Sequence, residues 1–262
     1  MNRRLSSVPT SITLAAMLIA AALAAPASAA QRTESFQQTY DVAAGATVSV
    51  SNTNGHLEFR SWDRSEVGIE AVKKARAWSD ARAERLLREL EIRVEEHAGG
   101  LKVTTKYPSS SVFDWFGGGV GVDYVVSVPA TVKVEAYTTN GGVEVAGVDA
   151  GVDCRTTNGR IRISDVGGPV RAHSTNGTVE AEVLDLREEI SLRTTNGALR
   201  LRLPDGTGAD LDATTTNGSI RLDADTNLAP EGRRKNRLRG DLAGGGPLVR
   251  LRTTNGSISI TA

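Results

Sequence analysis

The chain has 262 residues, room for one large domain or two small ones, and its 31 Lys+Arg balance 31 Asp+Glu, so overall charge offers no pull toward nucleic acid or an anionic membrane. One cysteine and three histidines exclude a disulfide framework and any multi-cysteine zinc or iron–sulfur site, and leave little for a histidine-built metal centre. Twenty-seven glycines with only 4% aromatics point to a turn-rich β protein.

At the amino terminus, Arg3 and Arg4 precede an apolar stretch from Ile12 to Ala25 that runs into the small residues Ala27, Ala29 and Ala30. This pattern predicts a secretory signal peptide over residues 1–30. The stretch is shorter than the roughly 20 residues needed to cross a bilayer, and no later run is apolar enough to do so. The sequence therefore predicts an exported domain over 31–262 with no transmembrane segment in the mature chain, located in the periplasm, at the cell surface or secreted.

From residue 48 onward the chain repeats itself. Asn-Gly, each time preceded by Thr, occurs at Asn54, Asn140, Asn158, Asn176, Asn196, Asn217 and Asn255. The sixth residue before each Asn (Val48, Val134, Val152, Val170, Ile190, Leu211, Val249) is apolar, as are the fourth before and the third and fifth after. Two short strands thus flank every Asn-Gly, each sending alternate side chains into a core. Asn-Gly is also the strongest short hairpin signal. Seven copies of Thr-Asn-Gly favour a coil that stacks equivalent corners, with the Asn amides bonded as a ladder, glycine supplying left-handed backbone and threonine supplying β-branched stiffness.

The long interval between Asn54 and Asn140 interrupts the period with an insertion over about 78–119. Ser79 is placed to cap a helix from Asp80 to about Glu91, with Ala83, Leu86, Leu87 and Leu90 on one face and Glu84 paired with Arg88 on the other. Ile92–Glu95 and Leu101–Thr105, separated by Gly99 and Gly100, read as a hairpin. After a loop carrying Phe113, Trp115 and Phe116, the alternation of Val120, Val122, Tyr124, Val126 and Val128 marks a strand closed by Pro129. This half begins and caps the stack. The later Asn-Gly steps are 18, 18, 20, 21 and 38 residues, the last read as about two periods; it contains the dense basic run Arg233, Arg234, Lys235, Arg237 and Arg239.

Phe36 to Ala71, with Val48–Gly55 and Ser61-Trp62-Asp63, together with Val126–Pro129, the Thr-Thr-Asn-Gly units and the close from Gly240 to Ile260, resembles a bacterial putative-adhesin domain of unknown function. The resemblance implies a single-domain β-solenoid on the outer side of a bacterial membrane. Location and architecture transfer from such a family better than activity does. The expected fold is thus all-β: a parallel, β-helix-like solenoid with one inserted amphipathic helix and hairpin near its N-terminal cap.

Few residues suggest chemistry. Cys154 lies in an inward column and reads as a small buried apolar residue. His173 shares an outward column with Tyr137, Arg155, Arg193, Thr214 and Arg252, with no nucleophile indicated beside it, and His56 and His97 lack ligand-like partners. Residues 118–125 match the first eight positions of a single calcium-binding nonapeptide, a motif that needs several copies. The outward column Glu144, Arg162, Glu180, Arg200 and Arg221 alternates in sign over its first four members, which sets register and neutralises the carboxylates a glycosidase would need. No catalytic residue, metal or cofactor is expected. The contact candidates are Phe113, Trp115, Phe116 and the basic run, facing an unknown envelope protein or polysaccharide and not nucleic acid. The expected role is non-enzymatic, structural or adhesion-type at the cell envelope; the alternatives are a periplasmic partner-binding component of envelope sensing and a carbohydrate-active β-helix enzyme.

Overall fold

The structure, a computed structural model, describes residues 30–108, 119–223 and 235–262. The predicted signal peptide lies outside the described residues except for Ala30, and Phe113, Trp115, Phe116, Arg233 and Arg234 lie outside them altogether.

Seven times the chain runs along one strand to an Asn-Gly corner, turns, and leaves along a second strand. These coils are β2 (Thr47–Ser51) with β3 (Leu57–Trp62), β8 (Lys133–Asn140) with β9 (Val143–Ala146), and β10 (Val152–Asn158) with β11 (Ile161–Val166). They continue as β12 (Val170–Asn176) with β13 (Val179–Val183), β14 (Ile190–Asn196) with β15 (Leu199–Arg202), β16 (Ala209–Asn217) with β17 (Ile220–Asp223), and β19 (Leu248–Asn255) with β20 (Ile258–Thr261). All first strands join one ten-stranded sheet and all second strands another, and neighbouring coils pair in parallel, Asn opposite Asn. The apolar columns face each other between the sheets: Val152, Cys154, Ile161 and Ile163 are buried, as are their counterparts in the neighbouring coils. A core two short strands wide has little room for aromatic rings, which accounts for their scarcity.

The coils do not stack in chain order. The coil of Asn255 inserts between those of Asn196 and Asn217, since β19 pairs with β14 on one side and β16 on the other, and β20 lies between β15 and β17. The 38-residue step is therefore an outward coil followed by a return, not two periods of advance. The other end is built alike. β6 (Gly100–Lys106) and β7 (Gly119–Pro129) stack outside β2 and β3, so the coil of Asn54 is enclosed between them and the coil of Asn140. Each end of the repeat region is thus tucked beneath the segment next to it in sequence.

Antiparallel strands close both ends. β4 (Glu66–Ala77) pairs with β7 and with β1 (Ala30–Asp41), β5 (Glu91–His97) pairs with β6, and β18 (Arg237–Leu242) pairs with β16. Helix α1 (Asp80–Glu89) packs against β1 and β4, with the Ser79 hydroxyl accepting from the Arg82 N–H at 3.4 Å. The expected Glu84–Arg88 pair does not form. Instead Arg32, on the facing strand β1, lies 3.1 Å from Asp80 and 4.0 Å from Glu84.

The corner ladder runs through all seven units. In the order Asn54, Asn140, Asn158, Asn176, Asn196, then Asn255 and Asn217, each Asn Nδ2 after the first donates to the Oδ1 of the one before it at 2.7–2.9 Å, and the Asn54 Nδ2 donates to the Val120 carbonyl at 3.3 Å. The glycine beside each Asn has a different role from the one expected. Gly141, Gly159, Gly177, Gly197, Gly218 and Gly256 are not in the left-handed region; of the seven only Gly55 has positive φ, at 130°. Crowding selects them instead: a Cβ on Gly159 would sit 1.8 Å from the carbonyl oxygen of Gly141, and one on Gly177 1.9 Å from that of Gly159. Parallel strands about 4.8 Å apart bring these corners together, and no side chain fits between them.

A second ladder runs just inside the first. In five coils the residue two before the Asn carries a buried hydroxyl donating to the corner glycine carbonyl of the next coil: Thr156 to Gly141 at 3.0 Å, Ser174 to Gly159 and Thr194 to Gly177 at 2.9 Å, Thr253 to Gly197 at 3.1 Å, and Thr215 to Gly256 at 2.8 Å; Thr138 donates instead to the Thr53 carbonyl at 3.5 Å. Threonine in this column therefore satisfies a carbonyl as well as stiffening the strand. In the first coil the position is Asn52, whose Nδ2 donates to the Val122 carbonyl at 2.7 Å and whose Oδ1 accepts from the Tyr107 hydroxyl at 2.6 Å.

Candidate functional site

The two sheets present outward faces of different charge. On the face built from second strands, Glu180 lies between Arg162 and Arg200 and pairs with both, while Arg202 pairs with Glu182. These groups line a shallow depression of about 290 Å³. Burial alone would raise the Glu180 carboxyl, but hydrogen bonds and charge from Arg200, with Arg160 and Arg162 nearby, outweigh it and hold Glu180 below the usual carboxylate range. Glu144 is in register with Arg162, without an ion pair among the described residues. The like-charged Arg200 and Arg221, neighbours by chain order, are separated by Ser259 of the inserted coil.

The face built from first strands carries two parallel rows. In stacking order one reads Tyr137, Arg155, His173, Arg193, Arg252, Thr214, Arg237; the other reads Glu135, Asp153, Arg171, Ser191, Arg250, Asp212, Arg239. The first row places Arg252 directly beside Arg193, because the coil of Asn255 is inserted there. Chain order alone would have put Thr214 beside Arg193. On β12, β14 and β19 these rows hold Arg171, His173, Ser191, Arg193, Arg250 and Arg252, and no acidic residue.

Carboxylates at the margins engage some of these cations. Asp153 lies 3.0 Å from Arg155, Glu189 3.3 Å from Arg250, and Asp212 3.6 Å from Arg252 and 3.2 Å from Arg239. Arg171 and Arg193 are exposed and have no ion-pair partner among the described residues. The Arg155 guanidinium lies over the Tyr137 ring at 5.5 Å. Burial, with the neighbouring Asp153 and Glu135 charges, pushes the Tyr137 hydroxyl up to about 12. Between Arg155, Arg171 and Arg193 is a depression of about 350 Å³ lined also by Asp153, Ala172, His173 and Ser191.

Partial burial and the charges of Arg193 and Arg155 hold His173 below its ordinary value of 6.5; Arg171 shares its strand, and Asp153 is turned to Arg155. As pH falls, the unfolded chain protonates first, so stability present above about pH 6.5 is lost as pH drops through the depressed folded value. Wild type should lose more stability than His173→Gln between pH 7.5 and pH 5, measured by thermal unfolding. Equal losses would show that His173 does not sense this field.

The other singled-out residues have structural places. Cys154 is fully buried, and burial pushes its thiol up. Asp123, within the calcium-like nonapeptide, accepts the His56 backbone N–H at 2.9 Å and pairs with Lys74. Among the described residues, no group of three His, Cys, Asp or Glu side chains is arranged to hold a metal ion. The described part of the basic run is not a free loop: Arg237 and Arg239 lie on β18, while Lys235 precedes it. Neither the hydroxyl ladder nor the arginine row was recognised from sequence. The hydroxyl column was visible as Thr or Ser two residues before six of the Asn residues, whereas the arginine row depends on the coil order.

No curated protein matches the chain. Among solved structures, a putative cell adhesion protein from Clostridium sporogenes is similar with a TM-score of 0.51 at 11% identity, covering 87% of this chain and 99% of that one. A putative adhesin from Bacteroides fragilis aligns with a TM-score of 0.31 at 12% identity over 87% of this chain and 96% of that one. A further one, from Parabacteroides distasonis, aligns with a TM-score of 0.28 at 10% identity over 87% and 97%. The first supports the fold. The family model described as Toastrack DUF4097 matches residues 45–261, which span the coils, the capping insertion and both tucked ends, and the chain belongs to that family.

Proposed function

We propose that this protein is exported and has a non-enzymatic, structural or adhesion-type role at the bacterial cell envelope. The observation that carries the proposal is the fixed register of the outward faces, where side chains form straight rows on rigid sheets and the central carboxylates are tied to arginines. A glycosidase acid needs a raised pKa, and Glu180 is held in the opposite direction. Such faces suit repeated contact with an extended partner better than bond cleavage. The name of the Clostridium sporogenes protein agrees with this reading, as does the signal-peptide pattern at residues 1–30. No helix among the described residues is long and apolar enough to cross a membrane.

The test is fractionation of bacteria expressing the full chain, with mass spectrometry of its amino terminus, followed by binding of the purified protein to intact cells and isolated envelopes. The expected result is a chain starting near residue 31 outside the cytoplasm and saturable binding to the envelope material. An uncleaved cytoplasmic protein, or one that binds neither preparation, would overturn the proposal.

A further inference from the structure

The strongest unassigned feature is the basic face across β10, β12, β14 and β19. Arg155, His173, Arg193 and Arg252 are direct cross-strand neighbours. Strands about 4.8 Å apart make this row about 14 Å long, running along the solenoid axis. Like charges directly opposite one another across strands repel. The row nevertheless persists over four adjacent strands, and Arg155, His173 and Arg193 line a depression together with Arg171, Ser191 and Asp153. Guanidinium groups present paired donors suited to carboxylate or sulfate oxygens.

We infer that this face binds a linear anionic polysaccharide laid along the solenoid axis, with Arg171 and Arg193 as its principal charge contacts and Arg155 and Arg252 extending the track. The inference rests on the envelope role proposed above and specifies its ligand class. Two features favour a polysaccharide over other polyanions. Glu135 and Asp153 at one axial end and Asp212 at the other stand only in the second row, so a narrow chain along the first row crosses no carboxylate while a flat anionic bilayer would also meet them. A row of outward threonines, Thr157, Thr175, Thr195 and Thr254, runs parallel to the arginines two residues nearer the corner, about 7 Å away. It offers hydroxyls to a ligand that itself carries both hydroxyls and charges.

The experiment measures binding of the purified protein to heparin as the anionic probe, with neutral dextran, phosphatidylglycerol vesicles and duplex DNA in parallel, at low and at physiological salt. The expected result is heparin binding that weakens as salt rises, with dextran inactive and vesicles and DNA weaker by tenfold or more. Arg171→Ser/Arg193→Ser should weaken heparin binding at least tenfold. Arg160→Ser/Arg221→Ser, which removes the same charge from the far side of the corner, just before β11 and on β17, should change it less than twofold. Absence of heparin binding, equal losses in the two double variants, or equal binding of vesicles or DNA would each overturn the inference. Because heparin binding is read without cells, its failure leaves the envelope proposal standing, whereas a cytoplasmic protein overturns that proposal alone.

Discussion

Gly177→Ala should destabilise the protein by about 3 kcal/mol or more, a large effect for adding one methyl group at a surface corner. The new Cβ would lie 1.9 Å from the Gly159 carbonyl oxygen and 3.1 Å from the Ser174 hydroxyl, so two stacked corners must separate. Separation lengthens the bond from the Gly159 N–H to the Asn176 carbonyl, 3.0 Å in the intact stack, and those from the Asn176 amide to Asn158 and from the Ser174 hydroxyl to the Gly159 carbonyl. Overpacking alone costs about 1–3 kcal/mol, and each weakened hydrogen bond adds about 0.5–1.5 kcal/mol. Gly177→Asn separates crowding from backbone conformation. Asn tolerates left-handed backbone and would rescue a conformational requirement, but it should fail here as badly as alanine. Gly206→Ala is the converse control, because Gly206 has φ of 73° with nothing within 4 Å of its added Cβ; its cost should stay near the roughly 1–2 kcal/mol of the backbone conformation. Chemical denaturation of the three variants measures all of this.

The second large effect concerns the end of the chain. Ile258→Ala should cost about 3–4 kcal/mol, as for a central core residue, although it lies within the last few residues, where chains commonly fray. Ile220→Ala, earlier in sequence, should cost only about 1 kcal/mol. The reason is the coil order: Ile258 is fully buried between Leu199 and Ile220, whereas Ile220 is on the outermost coil and only partly buried. Native-state hydrogen exchange should show the same inversion, with the Leu199 and Leu203 amides, which donate to the Ser257 and Thr261 carbonyls of the inserted coil, opening only on global unfolding and those of β17 opening earlier. If stability instead declined steadily toward the C-terminus, the coil of Asn255 would lie at the edge.

The repeat made the inward columns legible. Alternation around each Asn-Gly picks out Val152, Cys154, Ile161 and Ile163 as core residues, because a strand side chain's face is fixed by parity alone. The Asn ladder followed from the same repetition. Stacking order did not, since a step of 38 residues fits two further coils or one coil and a return equally well, and local alternation is identical in both. One clue was electrostatic: chain order places Arg200 against Arg221, whereas the tucked coil interposes Ser259. The glycine's role was missed because crowding arises between coils, and a local Asn-Gly signal carries only backbone preference. The strands β1 and β4 were also missed, although Val67, Ile69, Ala71, Ala75 and Ala77 on β4 are buried with strand parity. For the candidate site, the arginines were visible individually as an outward column; their adjacency was not, because it is a property of the topology.

The basic face, the enclosed C-terminal coil and the relief of the Arg200–Arg221 contact all depend on one claim, that β19 lies between β14 and β16. Paired cysteines in a Cys154→Ala background test it most directly. Ser191 is in register with Arg250, and Arg250 with Asp212, so these pairs have Cα atoms about 4.8 Å apart, within disulfide range. Ser191 and Asp212 are two strands apart, beyond the roughly 7 Å limit for a bridge. Mild oxidation should therefore cross-link Ser191→Cys with Arg250→Cys, and Arg250→Cys with Asp212→Cys, while leaving Ser191→Cys with Asp212→Cys reduced. Efficient cross-linking of Ser191→Cys with Asp212→Cys, and none of Ser191→Cys with Arg250→Cys, would contradict the account.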